Sequence, residues 1–163
     1  DYLEVVQAKT AKLFAAASEI GAVVSKRPFD ERKALVSFGH NLGMAFQLID
    51  DVLDYSAQQT TLGKSVGDDF RDGKITLPII LSFSAGDDEE RLFWRRTLED
   101  MEQKKGDFKR AVHYLEKSGA LIATMERARD YSRMALDELD LFPDNNYKLA
   151  LAEAARFAVD RRF

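Results

Sequence analysis

Residues 47–54 read QLIDDVLD, so three aspartates fall within five positions of an otherwise apolar helical run. In a helix, Asp50 and Asp54 share one face, with Asp51 about 100° around the axis and Gln47 one turn before them. Carboxylates this close repel one another unless a cation neutralises them. Oxygen ligands suit a hard divalent cation such as Mg²⁺, which usually keeps waters and substrate phosphates as further ligands. The stretch therefore predicts a metal-binding helix end that serves diphosphate chemistry.

The residues that flank these aspartates are apolar on both sides, Leu48 and Ile49 before the pair and Val52 and Leu53 after it. A pair of aspartates on a helix is usually a capping or solvated charge patch. Here the carboxylates leave a segment that should be buried, where an unpaired charge is costly. They also fall in the last turns of the predicted helix, where negative charge opposes the helix dipole. The pattern favours a metal site over a solvated patch.

Two lysines that each follow a glycine come next in the chain, in Gly63-Lys64 and Gly73-Lys74. Lysine acts as a point charge on phosphate oxygens, and glycine lets the backbone approach a ligand closely. Lys64 lies within the polar, glycine-bearing stretch 56–73 and Lys74 follows it directly, and loops this long are usually functional or disordered. A single such lysine is typically a solvated surface residue. The two together, after the aspartates, predict a site for Mg²⁺ and diphosphate.

Composition excludes several classes of protein. The chain has 163 residues, of which 45% are hydrophobic, and this fits one globular, soluble domain. The net charge of −4 offers no electrostatic footprint for nucleic acid, so no nucleic-acid partner is expected. Cysteine is absent, which excludes disulfides and thiolate metal sites and fits a cytoplasmic location. No apolar run reaches the roughly 18 residues that span a bilayer, so membrane contact would be peripheral at most.

Hydrophobic periodicity predicts an all-α fold of about seven helices, and no segment shows a convincing strand alternation. The first of these helices should end before Pro28, and Gly86 and Gly119 should mark the ends of two others. The predicted helices cover residues 3–25, 29–55, 76–85, 87–103, 107–118, 121–141 and 145–159. Because the sequence begins at Asp1, without a methionine, and passes directly into helical periodicity, we expect a piece of a longer protein.

The segment 46–78 resembles the second aspartate-rich region of the trans-type isoprenyl diphosphate synthases, also called polyprenyl synthetases. The matching pieces are Phe46-Gln47, Asp50-Asp51-Val52-Leu53-Asp54, Gly63-Lys64, Asp69 and Gly73-Lys74-Ile75-Thr76-Leu77-Pro78. Ala8-Lys9-Thr10 is similar to that family's Lys-Thr motif. Residues 120–144 and 159–163 look like the bacterial octaprenyl to decaprenyl synthases. The resemblance implies that residues 1–163 are the C-terminal part of a single polyprenyl synthase domain, an isoprenoid-synthase-type helical bundle.

The resemblance also implies an activity: Mg²⁺-dependent condensation of isopentenyl diphosphate onto an allylic diphosphate, giving long-chain polyprenyl diphosphate for quinone side chains. Three Mg²⁺ ions would lie between two facing aspartate-rich motifs. Carried over by position, the metal residues are Asp50, Asp51 and Asp54. The catalytic and substrate-binding residues are Lys9, Thr10, Gln47, Lys64 and Lys74. Asp69 would orient the loop, and the full-length parent would be a homodimer.

The chain departs from the family by lacking the first aspartate-rich motif and the upstream basic residues that hold isopentenyl diphosphate. The cluster Asp87-Asp88-Glu89-Glu90 follows Gly86 and reads as a helix N-terminus, so it does not replace that motif. We therefore expect the isolated chain to be inactive. We also expect the face left by the absent helices to be apolar, which favours self-association or domain swapping.

Two other interpretations remain at this point. A non-catalytic regulatory or partner subunit could keep the prenyl synthase scaffold, although such subunits commonly lose carboxylates that this chain retains. An unrelated helical interaction module would leave the aspartates and the loop lysines unexplained. Retention of Asp50, Asp51 and Asp54 favours the enzyme.

Overall fold

A computed structural model of the chain describes residues 2–56 and 66–160, and every regular element in these ranges is helical. This confirms the all-α prediction. The elements are α1 (Tyr2–Val6), α2 (Lys12–Val24), α3 (Phe29–Leu53), α4 (Asp68–Arg71), α5 (Leu77–Ala85), α6 (Asp88–Trp94), α7 (Asp107–Lys117), α8 (Ala120–Glu138) and α9 (Asn146–Val159). A π-helical turn, Gln7–Ala11, joins α1 to α2, a second one, Arg95–Glu99, extends α6, and a 3₁₀ turn, Leu139–Leu141, extends α8.

All seven predicted helices are present, because α1, the π-helical turn and α2 form one continuous run. Most of their ends lie close to the predicted positions: α3, for example, begins at Phe29 and ends at Leu53. The prediction for 87–103 was too long, because the π-helical turn that extends α6 ends at Glu99 and residues 101–103 are not helical. The sequence prediction missed α4, which lies inside the stretch taken as a loop. This helix is one turn long and buries a single apolar side chain, Phe70, so it has no periodicity to detect.

The helix ends follow the local signals. Asp87 and Glu90 form a reciprocal capping box: the Glu90 N–H donates to Asp87 Oδ1 at 3.0 Å, and the Asp87 N–H donates to Glu90 Oε2 at 3.1 Å. This confirms that the cluster Asp87-Asp88-Glu89-Glu90 forms a helix N-terminus. Asn145 caps α9 through Oδ1, which accepts the N–H groups of Tyr147 and Lys148 at 2.9 Å each.

The described residues group into two compact units, one formed by residues 2–49 with 126–160 and the other by 50–56 with 66–125. In the first unit, Ala11, Val6 and Met44 form one buried cluster. A second cluster joins Phe38 of α3 to residues of α8 and α9, and there Ser132 Oγ donates to the Ala155 carbonyl at 2.8 Å.

The second unit is built around aromatic side chains on α6 and α7. Phe93 meets Tyr114 edge-on, with ring centroids 5.2 Å apart, and Trp94 packs edge-on against both rings. The Arg110 guanidinium lies 5.2 Å from the centroids of Phe93 and Tyr114. This core also takes in Phe70 of α4 and Ile79 of α5, so the short helix and the α5 helix rest on a rigid base.

One face of α2 carries exposed apolar side chains. Leu13 is 73% exposed, Ile20 60% and Val24 72%, at spacings of seven and four residues. This is the kind of surface expected to promote self-association, which stays a prediction. Within the described residues, no helix has the length and apolar character needed to cross a membrane.

Close packing between α2 and α3 yields a stability prediction. A Cβ atom added at Gly39 would lie 2.4 Å from the Phe14 carbonyl oxygen, which is backbone and cannot move freely. We expect Gly39→Ala to lower the free energy of unfolding by about 1–3 kcal/mol, as overpacked cores do. Urea unfolding monitored by circular dichroism measures this change.

Gly21 in α2 supplies the matched control, because nothing lies within 4 Å of a Cβ added there. Gly21→Ala should raise the free energy of unfolding by up to about 1 kcal/mol through helix propensity. Equal effects of the two substitutions would contradict the packing described for Gly39.

Candidate functional site

The aspartates of α3 leave a buried segment, as the sequence predicted. Leu48 and Ile49 are fully buried, and Asp51 itself is only 2% exposed. Asp50 is partly buried at the same end of the helix, and Asp54 lies just beyond the last residue of α3. A carboxylate as buried as that of Asp51 needs hydrogen-bond donors or a cation to remain charged.

Asp54 is fixed by three backbone amides from the start of α4. Its Oδ1 accepts the N–H of Asp68 at 3.2 Å, and its Oδ2 accepts the N–H of Asp69 at 2.9 Å. Its carbonyl oxygen accepts the N–H of Gly67 at 2.8 Å. Burial raises the pKa of the Asp54 carboxyl above its ordinary value, while the amide donors act against that rise. Asp54 thus anchors α4, whatever further ligand it takes.

Gly67 makes this anchor possible. Its φ of 86° lies in the left-handed region, which favours glycine. A Cβ atom there would also lie 2.5 Å from Cε2 of Phe108, whose ring packs beside Phe70 with centroids 5.8 Å apart. The chain therefore needs glycine at this position to turn into α4.

Lys74 follows the same short helix, three residues after its last residue, Arg71. Its Nζ donates to Asp69 Oδ1 at 2.7 Å and lies 3.2 Å from Asp72 Oδ2. The hydrogen bond to Asp69 raises the pKa of Lys74 above its ordinary value, so the exposed ammonium group stays charged. Asp54, Asp69 and Lys74 thus form one connected group, since the backbone of Asp69 binds Asp54 and its side chain binds Lys74.

Two buried hydroxyl groups lie in the same unit and were not singled out from the sequence. Tyr55 follows Asp54 and Thr76 precedes α5, and neither hydroxyl makes a well-oriented hydrogen bond with the described part of the chain. Burial, and then the nearby charges of Asp54 and Asp69, raise the pKa of the Tyr55 phenol. Tyr55 is therefore a neutral donor beside the acidic group. Its position next to the last aspartate of QLIDDVLD was the available signal.

In the other unit, the structure brings together two residues that the resemblance assigned to substrate. Thr10 Oγ1 donates to Gln47 Oε1 at 2.9 Å across 37 positions of the sequence. Thr10 lies in the π-helical turn Gln7–Ala11, and Lys9 is exposed in the same turn. Such turns are rare and frequently occur at functional sites.

The remaining predicted residue, Lys64, lies outside the described residues, so its position is untested. Within residues 2–56 and 66–160, no three carboxylate or histidine side chains converge as a metal site. The oxygen donors of Asp50 and Asp51 nevertheless fit Mg²⁺, which is commonly held by one or two carboxylates while water and phosphate oxygens complete the octahedron. The arrangement can hold a divalent cation through few protein ligands and offers a fixed ammonium group to an anion.

The chain is similar in sequence to proteins of a known family. Residues 1–115 match the family model described as polyprenyl synthetase. The octaprenyl diphosphate synthase of Haemophilus influenzae is 36% identical over 163 residues, which cover 100% of this chain and 49% of that protein. The all-trans-nonaprenyl-diphosphate synthase of Rhodobacter capsulatus is 36% identical over 98% of this chain and 48% of its own length. The chain spans about half the length of the curated relatives it matches.

The structure of the chain is also similar to solved structures of such proteins. The polyprenyl synthase of Caulobacter crescentus, determined with calcium and isoprenyl diphosphate, superposes with a TM-score of 0.94 at 50% identity, covering 99% of this chain and 49% of that one. A decaprenyl diphosphate synthase from Rhodobacter capsulatus gives a TM-score of 0.92 at 39% identity, over 98% of this chain and 49% of its own. The helical arrangement is thus the isoprenoid synthase fold, and the chain belongs to the polyprenyl synthetase family.

Proposed function

We propose that this chain carries the diphosphate-binding half of a Mg²⁺-dependent prenyltransferase that condenses isopentenyl diphosphate onto an allylic diphosphate. The observation that carries the proposal is the connected group Asp54, Asp69 and Lys74 in the same unit as Asp50 and Asp51. In this group the side chain of Asp69 holds the charged ammonium of Lys74. The backbone of Asp69 binds Asp54, which follows the helix that bears Asp50 and Asp51. Family membership supports the same reaction class.

The cation contributes one kind of chemistry: Mg²⁺, when bound, neutralises the negative charge that collects on departing pyrophosphate. In the proposal, Asp50 binds the cation directly, and Asp51 and Asp54 act as further ligands or hold its waters. Their oxygen donors suit this ion. Binding by so few carboxylates leaves coordination positions for phosphate oxygens.

The remaining residues act on the substrate. When the bond between the allylic carbon and the diphosphate oxygen breaks, the electron pair leaves with pyrophosphate. The double bond of isopentenyl diphosphate then forms the new carbon–carbon bond with the allylic cation, and a proton passes to the released pyrophosphate. Lys74, together with Lys9 and Lys64, stabilises the growing charge of the leaving group more than that of the bound substrate, and such differential binding accelerates the step. The dipoles of Thr10 and Gln47 steady the reacting group.

Similarity to octaprenyl, nonaprenyl and decaprenyl diphosphate synthases supports a long-chain polyprenyl product, and a role in making quinone side chains follows from that product class. A homodimeric parent and a cytoplasmic location remain part of the same proposal. A non-catalytic partner subunit is less well supported, because Asp50, Asp51, Asp54 and Lys74 are all retained. An unrelated interaction module does not fit membership of the family.

Binding of pyrophosphate offers a direct test of the site. Isothermal titration of the chain with inorganic pyrophosphate should show saturable binding that requires Mg²⁺, because the cation and Lys74 act on the same anion. Asp50→Ala should weaken this binding about tenfold or more, equivalent to about 1.4 kcal/mol. Asp88→Ala is the matched control, since Asp88 is an exposed aspartate in the first turn of α6. Equal affinity in the two variants would remove Asp50 from the metal site.

Substitution of Asp54 should lower stability even without metal, whereas substitution of Asp50 should not affect the amides that Asp54 binds. Asp54→Ala deprives the amides of Asp68 and Asp69 of their acceptors, and we expect a loss of about 1–3 kcal/mol of stability. Hydrogen exchange at these two amides, measured in EDTA, should become faster. Asp50→Ala should leave both amides protected. If Asp54→Ala also left them protected, the anchoring role would be wrong.

Condensation by the isolated chain should be negligible. The DDxxD pattern of residues 50–54 also occurs at residues 68–72, where Asp69 and Asp72 pair with Lys74. The proposed reaction needs a further set of carboxylates, those of the family's first aspartate-rich motif, to surround the diphosphate. Incubation with farnesyl diphosphate, radiolabelled isopentenyl diphosphate and Mg²⁺, followed by extraction of the products, measures this. Robust elongation by the 163-residue chain would contradict the prediction.

A further inference from the structure

Gln103 reaches across 33 positions of the sequence to the end of α4. Its Nε2 donates to the Phe70 carbonyl at 2.7 Å and to the Thr97 carbonyl at 3.1 Å. Both hydrogens of one amide group are thus used on backbone carbonyls of two different segments. Gln103 therefore connects the turn after α6 to the short helix that precedes Lys74.

The Phe70 carbonyl is also the acceptor that closes the turn at the end of α4. It accepts the Gly73 N–H at 3.1 Å, and the neighbouring Asp69 carbonyl accepts the Lys74 N–H at 2.9 Å. The turn that sets the direction of the Lys74 side chain consequently shares its acceptor with Gln103. Loss of the Gln103 donor would loosen this turn without touching Lys74 itself.

Met101 supports the same turn from its other side. Gly73 has φ of 67°, and a Cβ atom there would lie 2.3 Å from Sδ of Met101 and 3.3 Å from the Leu98 carbonyl oxygen. Met101 itself has φ of 56°, a left-handed conformation that is unfavourable for a residue with a side chain. In this conformation the Met101 side chain lies against Gly73.

The segment that bears these two side chains is held independently of Lys74. Arg96 donates to the Glu102 carbonyl and to Asp107 Oδ2, the latter at 2.9 Å, and the Glu102 N–H donates to the Arg96 carbonyl at 2.9 Å. Asp107 Oδ2 also accepts the Lys104 N–H at 2.7 Å. The hydrogen bond from Arg96 holds the pKa of the Asp107 carboxyl below its usual range, so this pair stays ionised. Residues 101–103 are therefore a fixed support, which we call the brace.

We propose that the brace positions Lys74 for diphosphate, with Gln103 acting through the Phe70 carbonyl and Met101 through Gly73. Neither side chain contacts substrate in this proposal; both are positioning residues. The proposal rests on the proposed function only in assigning diphosphate to Lys74. The physical reason is that an ammonium on a flexible stem stabilises a phosphate oxygen best when its backbone is already fixed.

Gln103→Met provides the test, since methionine keeps the length of the side chain and removes the donor. Hydrogen exchange at Gly73 and Lys74, without ligand, should become about tenfold faster, as expected for the loss of about 1.4 kcal/mol of local protection. Affinity for Mg²⁺ with inorganic pyrophosphate should fall about fivefold or more in the same variant. Gln103→Lys restores a donor and should recover both properties.

Gln7→Met is the matched control, because Gln7 is exposed and belongs to the other unit. It should change neither measurement. If Gln103→Met accelerated exchange equally throughout α7, or accelerated it at Gly73 and Lys74 without lowering pyrophosphate affinity, Gln103 would be a structural residue and the proposal would be overturned. If the unchanged chain bound no pyrophosphate, the proposed function would fail, and exchange at Gly73 and Lys74 would still decide whether the brace holds the turn.

Discussion

The Asp54 carboxylate accepts the amides of Asp68 and Asp69, and the connection of Asp54 to Asp69 and Lys74 follows from this pair of hydrogen bonds. They fix the start of α4 against the end of α3. Because Asp69 is placed by its backbone, its side chain can accept a hydrogen bond from Lys74 Nζ, at 2.7 Å. Asp54 belongs to a motif that is typical of metal ligands, and it therefore also has a structural role.

Electrostatics supports the proposal that a cation binds at Asp50 and Asp51. Asp50 and Asp51 lie in the last turn of α3, where the helix dipole disfavours negative charge, and Asp51 is almost completely buried. The ammonium group of Lys74 is paired with Asp69 and Asp72. Binding of Mg²⁺ and diphosphate would bring the neutralising charge and the anion together. Charge neutralisation is therefore the physical reason why the geometry and family membership support the same proposed function.

Local patterns in the sequence were enough to predict the helices, since each of the seven buries an apolar stripe and several carry caps such as Asp87 and Asn145. They were not enough for α4, because its position depends on Asp54, which lies 14 residues before it. The contact between Thr10 and Gln47 spans 37 positions and could be anticipated only through the family resemblance. Gln103 gave no signal at all. Its partners are backbone carbonyls, which are the same in every sequence.

The four residues of α4 could not form a stable helix on their own, because isolated helices shorter than about 12–15 residues are marginal in water. Side chains from other parts of the chain make hydrogen bonds with backbone groups at both ends of α4. Asp54 accepts the first amides, where a negative group is favoured, and Gln103 donates to the Phe70 carbonyl near the last turn, where a donor is favoured. A short helix held in this way has little freedom to shift, so the positions of Asp69 and Lys74 are set by residues that lie 14 positions before its start and 32 after its end. A neutral amide far from the motif can therefore govern how the ammonium group meets its anion.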